Sequence, residues 1–94
     1  MTNPFYKTRQ WTNKRERILR RDSYLCQECK RYGRSRQATT VHHINPLEKS
    51  PELALVSWNL VSMCSSCHDS MHDRVTDQLT DAGLRWQEKV SPPP

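Results

Sequence analysis

Hydrophobic positions are sparse along the chain, and their spacing predicts a helix, a β-hairpin and a second helix in that order. Trp11, Arg15, Ile18, Leu19 and Asp22 fall at helical spacing, with Ile18 and Leu19 as the buried stripe and Lys/Arg on the other faces. Asn13 with Glu16 three residues on resembles a capping box, so the helix is expected over 13–21. The β-branched run Thr39-Thr40-Val41-His42-His43-Ile44 predicts a short strand, stopped by Asn45-Pro46. A polar connection with Pro51 leads to a second strand, Trp58-Asn59-Leu60-Val61-Ser62-Met63, and the two pair as a hairpin with a long loop. A further helix is expected from Ser66 as N-cap, continued by Met71, Val75 and Leu79 at spacings of four and stopped at Gly83. Residues 1–10 read as a weakly ordered arm, 11–88 as one domain, and 89–94, ending Ser91-Pro92-Pro93-Pro94, as a disordered tail.

Composition sharpens this picture. With 94 residues and only 34% hydrophobic positions, the core must be thin, and thin cores of this size usually need a staple. No run reaches the roughly 20 apolar residues of a membrane span, and the N-terminus lacks the apolar stretch of a signal peptide, so a cytoplasmic protein with no membrane partner is expected. Charge is unevenly spread: the first 36 residues hold eleven bases against three acids, a net +8, whereas the remainder nets −3. A basic half of this kind predicts a polyanion surface, with Lys14, Arg15, Arg17, Arg20, Arg21, Arg34 and Arg36 as the candidate nucleic-acid contacts. Such contacts give affinity and salt dependence but carry no sequence information.

The staple is legible in the cysteines. Cys26-Gln27-Glu28-Cys29 and Cys64-Ser65-Ser66-Cys67 are two Cys-x-x-Cys turns separated by 34 residues. Each turn can present two thiolates to one ion, so the spacing fits a four-cysteine structural Zn²⁺ better than disulfides or a redox pair, which would be single and set in a βαβ pattern. The four histidines form two clusters, His42-His43 at the end of the first strand and His68/His72 on the second helix. Four residues apart on a helix is the spacing of two imidazole ligands on one face. Adjacent strand residues point to opposite faces, so His42 and His43 are expected to divide the work, one ligating a metal and the other acting beside it. A second structural zinc held by histidines is the competing use, although structural sites are normally cysteine-rich.

Taken in order, Cys26-x-x-Cys29, Val41-His42-His43-Ile44-x-Pro46, Asn59-Leu60 and Cys64-x-x-Cys67-His68 resemble the HNH endonucleases, the zinc-stapled branch of the ββα-metal nucleases. The resemblance runs from about Trp11 to Val75, and it implies a small α+β fold with a treble-clef-like ββα-metal core and an N-terminal basic helix. It also implies phosphodiester hydrolysis leaving 5′-phosphate and 3′-hydroxyl ends, with His43 as general base, Asn59 orienting it, and His42 and His68 holding a divalent cation. Many relatives carry aspartate where His42 stands; His42 together with His72 is similar to the arrangement in colicin nuclease domains. Imidazole ligands favour Zn²⁺, Ni²⁺, Co²⁺ or Mn²⁺ over Mg²⁺. Met71 stands where a lysine is common, so a phosphate contact is either missing or supplied by Arg74. Small proteins of this appearance resemble phage-encoded nucleases, which makes a packaging or other DNA-processing protein the expected partner beside DNA. The competing functions are a non-catalytic zinc module that binds nucleic acid, which leaves His43 idle, and a zinc-stabilised protein interaction domain, which explains only the cysteines.

Overall fold

A computed structural model describes residues 4–73, 75–76 and 78–90. After a 3-10 turn at Pro4–Lys7 come α1 (Arg9–Arg21), α2 (Gln27–Arg31), β1 (Thr40–His43), β2 (Leu60–Met63), α3 (Ser65–Asp69) and α4 (Asp81–Lys89). β1 and β2 pair antiparallel, with His42 opposite Val61 and His43 opposite Leu60. The long connection between them carries short 3-10 turns at Pro51–Leu53 and Ser57–Asn59, the second replacing the expected start of the strand at Trp58. Among the described residues no helix is long and apolar enough to cross a membrane.

The first helix begins four residues before the expected start. Thr8, in extended conformation, accepts the Trp11 N–H on its hydroxyl at 3.2 Å and so caps α1 itself. Glu16 therefore lies mid-helix, where it accepts from the Tyr24 hydroxyl and faces Arg20 at 3.9 Å. Residues 4–10 are not a loose arm: Phe5 packs against the cluster of Trp11, Ile18, Leu19, Ala38, Val41 and Leu60. The chain leaves α1 through Ser23 and Tyr24, both in the left-handed region with φ near +56° and +58°. Gly33, with φ +74°, closes the turn after α2 in a conformation that only glycine adopts freely.

The second expected helix is corrected. α3 spans only Ser65–Asp69, its N-cap is Cys64 rather than Ser66, and the chain turns out of it at Ser70. Polar side chains compete with the helix there: the Ser70 hydroxyl donates to the Cys67 carbonyl at 2.6 Å, and Asp73 accepts from the N–H groups of Val75 and Thr76 at 2.8 and 3.0 Å. Val75, expected to continue that helix, is 94% exposed and lies in the turn beyond it. His72 and Leu79 instead form an isolated antiparallel bridge, and α4 starts after Thr80. Gly83 is no stop but lies in the first turn of α4, where an added Cβ would meet the Met71 carbonyl oxygen at 2.6 Å. The close approach, not a cap, requires glycine. The tail expected at 89–94 is corrected at its start, since Lys89 is the last residue of α4 and Val90 caps it and packs against the core; residues 91–94 and the phosphate contact expected at residue 74 lie outside the described residues.

A second core cluster joins Cys26, Cys29 and Cys64 to Ile44, Val61, Met63, Met71 and Trp86. Met71 is fully buried there, so its side chain packs against the cysteine turns rather than facing a phosphate.

Candidate active site

The two Cys-x-x-Cys turns converge as their spacing predicts. One sulfur from each of Cys26, Cys29, Cys64 and Cys67 lies within 4.8 Å of all the others, and Cys29 Sγ is 3.9 Å from Cys64 Sγ and 3.6 Å from Cys67 Sγ. A tetrahedron of Zn–S bonds about 2.3 Å long requires sulfurs about 3.8 Å apart, whereas a disulfide requires about 2.05 Å. The cluster therefore has the size of a four-thiolate metal site. Burial and the neighbouring thiols push Cys29 and Cys67 above the ordinary thiol range. At Cys64 burial acts in the same direction, but hydrogen bonds from Cys67, Cys26 and Cys29 outweigh it and draw the thiol down to about 7. Arg36, expected on the DNA face, lies with its guanidinium against the Cys64 thiol and near Cys29 and Cys67, which raises its own pKa.

The histidines form a second cluster, reached by a different backbone from the one expected. His42 and His68 ring centroids are 5.3 Å apart, His42 and His72 5.4 Å, and His68 and His72 6.1 Å. One nitrogen from each lies within 4.8 Å of the others. His68 stands on α3 directly after Cys67, while His72 is delivered by the loop beyond the helix and not by a helical repeat. His42 is fully buried, and both of its ring nitrogens lack a hydrogen-bond partner. A buried polar atom without a partner is costly, and the one His42 nitrogen that carries the lone pair, set between two further imidazoles, is a place a cation would satisfy. Burial first, then the neighbouring His68, His72 and His43, push the His42 pKa down to about 3, and burial followed by His72 lowers that of His68. Both imidazoles are thus held neutral, with a lone pair free for a cation.

His43 points the other way from β1, as strand alternation requires. Its Nε2 lies 3.0 Å from the Ala54 carbonyl oxygen, so Nε2 carries the proton and Nδ1 is left with the lone pair. Burial lowers its pKa, against the opposing effect of the Ala54 carbonyl. Asn59 is fully buried and holds the ends of the connecting loop: its Oδ1 accepts from the Asn45 N–H at 2.7 Å and Nδ2 at 2.9 Å, and its own Nδ2 donates to the carbonyls of Asn45 and Leu53 at 3.3 and 3.2 Å. Leu53 precedes Ala54, so this amide fixes the carbonyl that fixes His43. A cavity of about 850 Å³ is bordered by His42, His43, His68 and His72 together with Arg15 and Lys49.

The two motifs, the hairpin between them and the paired clusters decide the family. The pattern of the HNH endonucleases matches residues 26–74, more than half of the 94-residue chain. The chain is an HNH endonuclease. The structure of the deep-sea thermophilic bacteriophage GVE2 HNH endonuclease with manganese ion is similar at a TM-score of 0.68 and 38% identity, over 69% of this chain and 71% of that one. No curated protein matches the sequence. The matched HNH segment contains every cysteine and histidine of the chain but neither α1 nor α4.

The expected DNA-contacting residues separate once placed on the HNH fold. Arg17, Arg20 and Arg34 are exposed. Lys14 donates to the Ser57 hydroxyl and Arg15 to the Thr39 carbonyl, each at 2.6 Å, and Arg21 is bound to Asp22, Ser57 and Leu60. These last three tie α1 to the hairpin. Sequence reasoning missed Ala54, whose part is played by a backbone carbonyl and leaves no mark in residue type. It also missed the rings around His43, although aromatic residues at 5, 6 and 11 in so poorly hydrophobic a segment were a visible signal.

Proposed function

We propose that this HNH endonuclease hydrolyses DNA phosphodiester bonds with the aid of one divalent cation, leaving 5′-phosphate and 3′-hydroxyl ends. The observation that carries the reading is His42, wholly buried with both ring nitrogens unpartnered between His68 and His72. Three neutral imidazoles in that arrangement fit a transition-metal ion, with His42, His68 and His72 as ligands, and suit Mn²⁺, Zn²⁺, Co²⁺ or Ni²⁺ better than Mg²⁺. Manganese in the phage relative is consistent with that choice. When bound, the cation supplies Lewis-acid stabilisation of the charge that develops around phosphorus.

The chain's own residues supply the rest. His43 Nδ1, the nitrogen left free by Ala54, accepts the proton of a water that attacks phosphorus in line. Its lowered pKa keeps that nitrogen unprotonated at neutral pH. Asn59 secures the loop that holds the Ala54 carbonyl in place. The four cysteines hold a structural Zn²⁺ that fixes α3, and the exposed Arg17, Arg20 and Arg34 contact phosphates with little regard for base sequence. A phage packaging or other DNA-processing protein is the partner class this reading favours.

Nicking of supercoiled plasmid is the test, run with Mg²⁺, Mn²⁺, Ni²⁺ and Zn²⁺ beside His43→Ala and His42→Ala. Nicking that is stronger with transition metals and lost in both folded, DNA-binding variants is the expected result. Equal nicking by wild type and His43→Ala overturns the base assignment, and full activity in Mg²⁺ alone overturns the three-imidazole ligand set.

A further inference from the structure

The matched HNH segment begins at Cys26, yet the ring lying closest to His43 comes from α1. Trp11 stacks on the His43 imidazole with centroids 4.9 Å apart and 24° between the planes. Behind it, the turn Pro4–Lys7 brings two further rings: Phe5 lies 5.4 Å from Trp11 and 6.0 Å from His43, and Tyr6 lies 5.5 Å and 6.0 Å from the same pair. Local structure sets this up, since the Thr8 hydroxyl both accepts from Trp11 N–H and donates to the Phe5 carbonyl at 2.7 Å. One threonine thereby locks the turn to the helix that carries the indole.

A hydrogen bond to one ring nitrogen does not fix an imidazole. The Ala54 carbonyl anchors Nε2 but leaves the ring able to swing about that contact, and the terminal torsion of histidine is broad. A flat partner against the ring face removes the remaining freedom, and an indole supplies the largest such face. Trp11 also belongs to the core cluster beneath it, so its own position is fixed by packing.

We propose that Trp11, backed by Tyr6 and Phe5, is a positioning residue for phosphodiester hydrolysis, holding the His43 ring so that Nδ1 faces the cavity. The inference rests on the reading of His43 as general base. It makes residues 4–11 part of the nuclease's working apparatus, although they lie outside the segment that defines the family.

The full, zinc-loaded chain carries the test as Trp11→Leu, Trp11→Phe, Tyr6→Ala and His43→Ala. Two readouts are taken: kcat and KM for plasmid nicking with Mn²⁺, and the side-chain ¹⁵N signals of His43 before Mn²⁺ is added. Trp11→Leu is expected to lower kcat about 10- to 100-fold with KM unchanged, because a small misplacement of a reacting group costs that much. Trp11→Phe restores most of the loss. The ¹⁵N signals report one tautomer in wild type and a mixture in Trp11→Leu. A purely structural role would lower the melting temperature and leave the kcat of the folded protein and the tautomer unmoved; that result overturns the proposal, as does a Trp11→Phe no better than Trp11→Leu. Should Trp11→Leu not fold, Tyr6→Ala decides by the same two readouts, since Tyr6 is 39% exposed and outside the buried core. His43→Ala keeps the layers apart: if it is inactive beside an unimpaired Trp11→Leu, the positioning role alone falls, and if it is fully active, the base assignment falls and takes this inference with it.

Discussion

Replacing Arg21 by alanine separates two tasks assigned to the basic N-terminal half. The Arg21 guanidinium donates to both Asp22 oxygens at 2.9 Å, to the Ser57 carbonyl at 3.0 Å and to the Leu60 carbonyl at 2.8 Å. Asp22 in turn accepts the Ser62 N–H at 3.0 Å, so the pair buckles the end of α1 onto β2. The Arg21 side chain is 42% exposed and that of Asp22 10%, so water screens the ion pair itself to below about 1 kcal/mol. The two charge-assisted bonds to carbonyls contribute about 1.5–3 kcal/mol each when buried, and at this exposure the low end or less applies. The whole loss is then about 2–3 kcal/mol, which for a chain of this size lowers the melting temperature by roughly 10–20 °C. Arg17→Ala, on the open face of α1, is expected to change stability by less than about 0.5 kcal/mol. DNA binding should show the reverse pattern: each lost phosphate contact flattens the slope of log K against log salt by about 0.9, which Arg17→Ala does and Arg21→Ala does not. Thermal unfolding of the zinc-loaded proteins and salt titrations of a labelled duplex measure the two effects. An Arg21→Ala variant that melts within about 2 °C of wild type and flattens the salt slope would refute the assignment.

Other outcomes follow from the same contacts. Burial opposes ionisation of Asp22, but hydrogen bonds from Arg21 and Ser62 outweigh it and hold the folded pKa below the ordinary value. Its contribution is therefore complete above the unfolded pKa of about 3.9 and is lost as pH falls through the folded one, so urea titrations should show the gap between wild type and Asp22→Asn closing below about pH 4. A gap that does not vary with pH would contradict this. Gly83→Ala must displace the Met71 carbonyl at 2.6 Å or Leu79 Cδ2 at 2.9 Å, and a cost of about 1–3 kcal/mol by denaturant titration is expected. Asn59→Ala removes the partner of the Asn45 N–H and carbonyl and one of the two donors to the Leu53 carbonyl, which keeps the Val56 N–H, for about 2–4 kcal/mol by the same measurement, and slows nicking as the loop that carries Ala54 loosens. Cys26→Ser should lower the zinc content measured by atomic absorption and unfold the chain, because structural zinc contributes an apparent ~10 kcal/mol or more to small zinc domains.

What could be read from residue types was whatever depended on local spacing or ligand chemistry. Two Cys-x-x-Cys turns mean one metal site wherever the chain goes between them, and the β-branched run before Asn45-Pro46 means a strand. The order Cys, His-His, Asn, Cys-x-x-Cys-His carried the HNH resemblance because those residues react or ligate as side chains. The second helix misled because Met71, Val75 and Leu79 match a helical repeat, while the residues that end it, Ser70, Asp73 and Thr80, act through backbone hydrogen bonds. Met71 is buried by the cysteine turns, and Val75 sits on a loop in water. Charge alone also does not show internal partners: a positive charge predicts a polyanion at long range, while Arg21 and Arg36 additionally meet acceptors within the chain.

The sulfur cluster and the histidine cluster are not independent. A five-residue helix has no stability of its own, since nucleating a helix costs more than so few hydrogen bonds return. α3 is held because its N-cap is Cys64 and its third residue is Cys67, both in the sulfur cluster. His68, the next residue, takes its place beside His42 only while that helix stands, and Met71 and the turn to His72 follow from the same end. The cysteines therefore do more than replace a missing apolar core. They set the position of two of the three imidazoles, while the third, His42, is set by the hairpin and buried before any ligand arrives. The sulfur cluster and the histidine cluster meet at the single peptide bond between Cys67 and His68.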